Sequence, residues 1–175
     1  MKADGIIQYL SQLSKMGSGV GEYHQYLLGR GKSVECTPYH EVPGLMDILS
    51  EFDFKELKVK ECWHNTWKLC SRHKELHYVD GLYKNLIPTE HAWCYFDGYY
   101  FDLTSEFVLG NNVNNIEYFL TDRFNFVELN EIGLESRMSG EYTKFKYHRS
   151  KGHLDSFRRK KTKNKQSNSV SQGKR

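Results

Sequence analysis

A thiol, an imidazole and a carboxylate occur in the order Cys62, His91, Asp102, each in a local setting suited to nucleophilic catalysis. Cys62 opens a segment of helical pattern, CWHNTWKLC, while His91 and Asp102 lie on two strand-like runs joined by Asp97-Gly98 in EHAWCYFDGYYFDLT. An isolated thiol, with a pKa of about 8.5, is mostly protonated at pH 7; a helix N-terminus and a nearby imidazolium raise its thiolate fraction. Cys62 is then the expected nucleophile. His91 is the group that takes its proton and later protonates the leaving group, and Asp102 fixes the imidazole's tautomer and orientation. The backbone N–H of Cys62 is one candidate oxyanion donor, with Gln25, His64 and Asn65 as side-chain candidates. Trp63 and Trp93 stand near the nucleophile and the base as candidate substrate contacts.

The hairpin makes the pairing of base and carboxylate a geometric expectation. A two-residue type I′ turn at Asp97-Gly98 pairs Phe96 with Tyr99, Cys94 with Phe101, Trp93 with Asp102 and His91 with Thr104. Alternation then puts His91, Trp93, Tyr95, Tyr100, Asp102 and Thr104 on one face, and Ala92, Cys94, Phe96, Phe101 and Leu103 on the other. His91 and Asp102 become diagonal neighbours with Cβ atoms about 7–8 Å apart or somewhat less. A one-residue slip would put them on opposite faces.

Elements on either side must hold these residues. Ile6, Ile7, Leu10 and Leu13 predict an amphipathic helix over 4–16, capped by Asp4 and stopped at Gly17. GSGVG at 17–21 reads as a flexible connector to a short helical run, EYHQYLL; it lacks the preceding strand and the Lys-Ser/Thr of a phosphate-binding loop. Leu45, Ile48, Leu49 and Phe52 predict a packing helix over 44–57. In the segment 61–72, Cys62, Thr66 and Leu69 share one face and Trp63, Trp67 and Cys70 another, as expected of a helix central in the core. YVDGLY at 78–83 reads as a strand, 111–122 as a short helix and FNFVEL at 124–129 as a further strand.

The whole is an α+β chain of 175 residues, enough for one domain with a substantial core. We expect N-terminal helices over 1–58, a catalytic core over 59–130, a domain ending near 148 and a tail over 149–175. Ten of the 25 Lys and Arg, but one of the 22 acidic residues, lie in 149–175, so the tail carries +9 and residues 1–148 carry −6. Poor in apolar anchors, the tail is expected to be disordered. No apolar run approaches the roughly 20 residues of a membrane span. No apolar leader follows Met1, and the spacing of Cys36, Cys62, Cys70 and Cys94 matches no disulfide scaffold, so free thiols in a cytoplasmic, reducing setting are expected.

A helix-opening Cys, a strand of YVDGLY type, then HAW and FDLT: in this order the residues resemble the core of the transglutaminase-like superfamily of papain-like thiol enzymes. The match covers about residues 59–106, with Glu61 where the family often has a small residue before the nucleophile. The resemblance implies a central helix carrying the Cys, packed on an antiparallel sheet carrying the His and Asp. It also implies acyl transfer on a protein or peptide amide, by proteolysis, deamidation or amidase action, or by cross-linking to an amine. No calcium-loop pattern is visible, and neither metal nor cofactor is expected.

Three other readings compete with this one. His73 and His77, with Cys62, His64 and Cys70 close in sequence, are a candidate metal group, but the second ligand pair of a structural zinc site is missing. The tail's RRKKTKNK, with Arg158, Arg159, Lys160 and Lys161, is a candidate nucleic-acid contact, although no aromatic residues interleave to stack on bases. The third reading is a thiol-enzyme fold kept as a catalytically inactive interaction module.

Overall fold

The computed structural model describes residues 3–129. Two helices come first, α1 (Asp4–Leu13) and α2 (Ser18–Arg30), followed by strand β1 (Lys32–Val34), the short helix α3 (Leu45–Ile48) and helix α4 (Cys62–Arg72). Strands β2 (His77–Lys84), β3 (Pro88–Phe96), β4 (Tyr99–Phe101) and β5 (Glu117–Phe124) follow, with a π-helical turn at Thr104–Val108 after β4. The class is α+β, as the composition implies.

The five strands form one antiparallel sheet in the order β1-β5-β2-β3-β4. The sheet curls. Val34 pairs with Tyr118 at the β5 edge, and two residues later Cys36 bridges to Tyr100 at the opposite edge, where Thr37 N–H donates to the Tyr100 carbonyl at 2.7 Å. The inside of the curl is filled by Val34, Cys36, Val79, Trp93, Val113, Ile116, Tyr118 and Leu120. On the outer face Leu69, Cys70 and Leu76 pack against Tyr78, Ala92, Cys94, Phe101 and Leu103. Further along, Ile6, Leu10 and Leu27 cover Leu82 and Phe119. The two faces of the hairpin thus segregate as the alternation requires.

The hairpin turn is as expected. Asp97 (φ 41°) and Gly98 (φ 93°) both take the positive φ of a type I′ turn, and Phe96 pairs with Tyr99 and Cys94 with Phe101. The register does not extend to Trp93–Asp102 and His91–Thr104, because the chain leaves the sheet after Phe101 and turns into the π-helix.

Several element expectations are corrected. Asp4 is the first helical residue of α1, not its cap; the Glu117 carboxylate of β5 accepts from Gly5 N–H (2.8 Å) and Ile6 N–H (3.2 Å) in its place. The glycine-rich run at 18–21 is not a connector but the first turn of α2, where Gly21 lies too close to the Met16 carbonyl for any Cβ. The helix expected over 44–57 is limited to Leu45–Ile48, and a separate 3-10 turn follows at Phe54–Glu56, opened by the Asp53 side chain, which accepts from Lys55 N–H. Leu45, Leu49 and Phe52 are buried all the same. In the stretch 111–122 the short helix is a single 3-10 turn at Val113–Asn115, and from Glu117 the chain is β5: Ile116, Tyr118 and Leu120 alternate into the curl with a period of two. FNFVEL is not a strand. Asn125 and Glu128 cap each other's backbone N–H groups at 3.0 and 2.9 Å and start a helical turn at 126–129. The tail over 149–175 lies outside the described residues.

Candidate active site

Cys62 is the first residue of α4, which starts without a side-chain cap. The N–H groups of the first helical turn have no intrahelical acceptor and present the positive end of the helix dipole at the thiol. Asn65 fixes the approach to this turn. Its Oδ1 accepts from Lys58 N–H at 3.0 Å, and its Nδ2 donates to the Lys58 carbonyl at 2.8 Å and to Thr104 Oγ1 at 3.2 Å. Between them Lys60 takes a left-handed conformation, φ 63°, unusual for a residue with a Cβ and common near functional sites. Asn65 thus ties the start of α4 to the loop after β4.

His91 and Asp102 meet, although the strand pairing ends at Cys94–Phe101, one residue short of Asp102. His91 Nε2 lies 2.7 Å from Asp102 Oδ2, with both residues buried. The carboxylate is held on all sides: Tyr118 Oη–H donates to the same oxygen at 2.9 Å, and Ser105 N–H donates to Oδ1 at 2.9 Å. With Nε2 engaged, Nδ1 is the ring nitrogen left for the thiol. Burial disfavours a charged imidazole, but the Asp102 charge and hydrogen bond, together with the hydrogen bond and charge of Cys62, outweigh it and raise the His91 pKa to about 10. The pair therefore favours an imidazolium beside the sulfur.

The thiol and the imidazole come from elements on different sides of the sheet. β4 pairs only with Cys94–Phe96, so the half of β3 that carries His91 has no strand on its outer edge. Helix α4 packs along β3 and touches the π-helix, so its N-terminus reaches this open edge. The early departure of β4 is what lets Cys62 approach a side chain on the inner face.

The sequence does not identify the groups around Asp102. Tyr118 lies in the segment misread as helix, and only pairing β5 next to β2 brings it under the carboxylate. Burial, then the charges of Asp102 and Cys36, push its phenol well above the ordinary range, so it stays protonated and able to donate. Glu106, in the π-helix, accepts from Tyr39 N–H at 3.1 Å. Burial raises its carboxyl to about 7 against the pull of the Tyr39 N–H, and the charges of Asp102 and Glu41 add to the rise.

Other residues singled out from the sequence fall elsewhere. Asn65 has both amide hydrogens committed, so it is a scaffold residue and not a free oxyanion donor. Gln25 Nε2 donates to the Ser14 carbonyl at 2.9 Å and holds the α1–α2 turn. The His64 ring packs 5.8 Å from the Trp67 ring on α4. Trp93 is 1% exposed inside the curl, its ring centre 5.2 Å from that of Tyr118, so it is a core residue and not a substrate contact. Trp63 is partly buried against the outer core. Arg158, Arg159, Lys160 and Lys161 lie outside the described residues.

All four cysteines are unpaired, buried thiols. Among the described residues no group of three or more His, Cys, Asp and Glu side chains is placed to hold a metal ion. No described helix is long and apolar enough to cross a membrane. A pocket of about 230 Å³ lies between Cys36, Pro38, Glu41 and Val113, and none of Cys62, His91 and Asp102 lines it. No family model, curated protein or solved structure matches the chain.

Proposed function

We propose that this protein is a thiol-dependent acyl-transfer enzyme acting on a protein or peptide amide, with Cys62 as nucleophile, His91 as acid and base, and Asp102 as orienter. The observation that carries this reading is the buried 2.7 Å contact between His91 and Asp102, with Cys62 close enough to raise the imidazole's proton affinity from an uncapped helix start. A structural histidine needs only one partner, whereas this one has a fixed carboxylate on Nε2 and a thiol acting on the ring.

The step it supports is direct. The Cys62 thiolate attacks the carbonyl carbon, a C–S bond forms, and the carbonyl π pair moves onto oxygen. As that pair returns, the C–N bond breaks and the His91 imidazolium gives its proton to the departing amine. Water or a second amine then takes the acyl group from sulfur, with His91 as base. In this reading the fold is a papain-like, transglutaminase-like core, and four unpaired thiols suit a reducing, cytoplasmic compartment.

Iodoacetamide labelling near neutral pH tests the nucleophile. Cys62 should be modified selectively over Cys36, Cys70 and Cys94, and His91→Ala should slow it by about 100-fold or more, the usual scale of a lost proton-transfer partner. Equal labelling of all four cysteines, or indifference to His91→Ala, would sink the assignment and leave an inactive interaction module as the better reading.

A further inference from the structure

The chemistry proposed above calls for a second oxyanion donor beside the Cys62 N–H, and Asn65 and Gln25 have their amide groups engaged elsewhere. Resting on that thiol-enzyme reading, we propose that Tyr83 is the side-chain oxyanion donor, its phenol O–H held by β2 over the face of His91 and aimed at the reacting carbonyl oxygen.

The sheet register puts Tyr83 there. Gly81 pairs with His91 and Tyr83 with Thr89, so Tyr83 stands on the face of His91, two pairs further along. Its ring lies over the imidazole, with ring centres 4.3 Å apart and planes 31° from parallel. Since Asp102 occupies the Nε2 edge of the imidazole, the phenol covers the face of a ring whose other edge serves the thiol.

The hydroxyl is also unspent. Tyr118, its neighbour across β2 and β5, has its O–H bound to Asp102, whereas the Tyr83 O–H has no hydrogen-bond partner among the described residues and its side chain is partly exposed. A neutral phenol against the imidazole is the donor that an acyl-transfer site needs, because it stabilises negative charge on oxygen without competing with the imidazolium. Electrostatics agree: burial, then the charges of Asp102 and Cys62, raise the Tyr83 pKa, which keeps the proton on oxygen.

In the step, Tyr83 gives no proton away. Its O–H hydrogen-bonds the oxygen as the carbonyl pair moves onto it, and the bond weakens when the pair returns and the leaving group departs.

Two reagents separate this role from a structural one. Acylation of Cys62 by p-nitrophenyl acetate passes through a tetrahedral oxyanion; alkylation by iodoacetamide displaces iodide in one step with no oxyanion. Tyr83→Phe keeps the ring on His91 and removes the hydroxyl, so acylation should fall by about 100-fold, the scale of a lost oxyanion donor, while alkylation stays at the wild-type rate. Equal losses in both reactions would mean that Tyr83 acts by positioning the thiol or imidazole, and no loss in either would mean that the hydroxyl is idle; each overturns the proposal. Wild-type protein whose Cys62 neither alkylates selectively nor acylates removes the thiol-enzyme reading, and Tyr83's role with it. A wild type that does both, matched by Tyr83→Phe in both rates, removes Tyr83 alone.

Discussion

At His91 two opposing effects act on one proton. Burial disfavours the imidazolium, and the Asp102 carboxylate with the nearby Cys62 favours it more, so the proton is held up to about pH 10. A histidine whose folded pKa is raised contributes stability that is complete below its unfolded value, about 6.5, and is lost as the pH rises through the folded value. The sign also matters for catalysis, because the leaving amine needs the imidazolium and the imidazolium survives throughout the neutral range. An NMR titration of the His91 ring should therefore inflect near 10, and Asp102→Asn should lower that inflection by about one unit or more. A ring that titrates near 6.5 in the wild type would contradict the ion pair. Of the groups that set this proton's affinity, Cys62, His91 and Asp102 are legible from their order and context. Tyr118 and Ser105 are not, because their roles come from a strand pairing and a backbone N–H that no local pattern announces.

At the scale of elements, the β2–β3–β5 junction places the base. The register between β2 and β5 shifts between Asp80 and Gly81, opposite His91, which leaves Thr121 as an extra residue on β5. Thr121 Oγ1 donates to the Asp80 carbonyl at 3.1 Å across this bulge. Glycine is required at 81: a Cβ there would overlap the Phe119 carbonyl oxygen and stand 2.7 Å from the Trp93 indole. Gly81→Ala should cost about 1–3 kcal/mol of stability, the range for overpacking a well-filled interior, and should slow Cys62 alkylation by displacing β5 or Trp93 beside His91. Urea unfolding with parallel labelling checks this, and a variant as stable and reactive as wild type would show that the junction has slack. The hairpin was readable because Asp-Gly between alternating apolar runs admits one favoured turn. The helix ends were less so. α1 takes its acceptor from Glu117, more than a hundred residues away in sequence, and the run expected as one helix is split into α3 and a separate 3-10 turn that the Asp53 side chain caps.

For the whole molecule, the curl of the sheet encloses Asp102, Tyr118 and Trp93, and the short β4 leaves the opening through which Cys62 meets His91. Cys62, His91 and Asp102 lie within residues 3–129, while the basic cluster RRKKTKNK follows in sequence at 158–165. Removing residues 150–175 should therefore leave Cys62 alkylation and acylation unchanged and abolish any salt-dependent binding to nucleic acid. A truncated chain whose Cys62 loses reactivity would show that the tail takes part in the site. The sequence by itself determined the α+β class, the I′ turn and the helix that begins at Cys62, because each rests on local periodicity or turn chemistry within a few residues, and that turn also put Asp102 near His91 although the pairing stops one residue short of it. Only the tertiary structure decided which strand lies beside β2, which phenol is bound to the carboxylate and which is free, and that Asn65 and Trp93 are scaffold. Those outcomes depend on burial and on partners from distant segments, and such pairings carry no local signal.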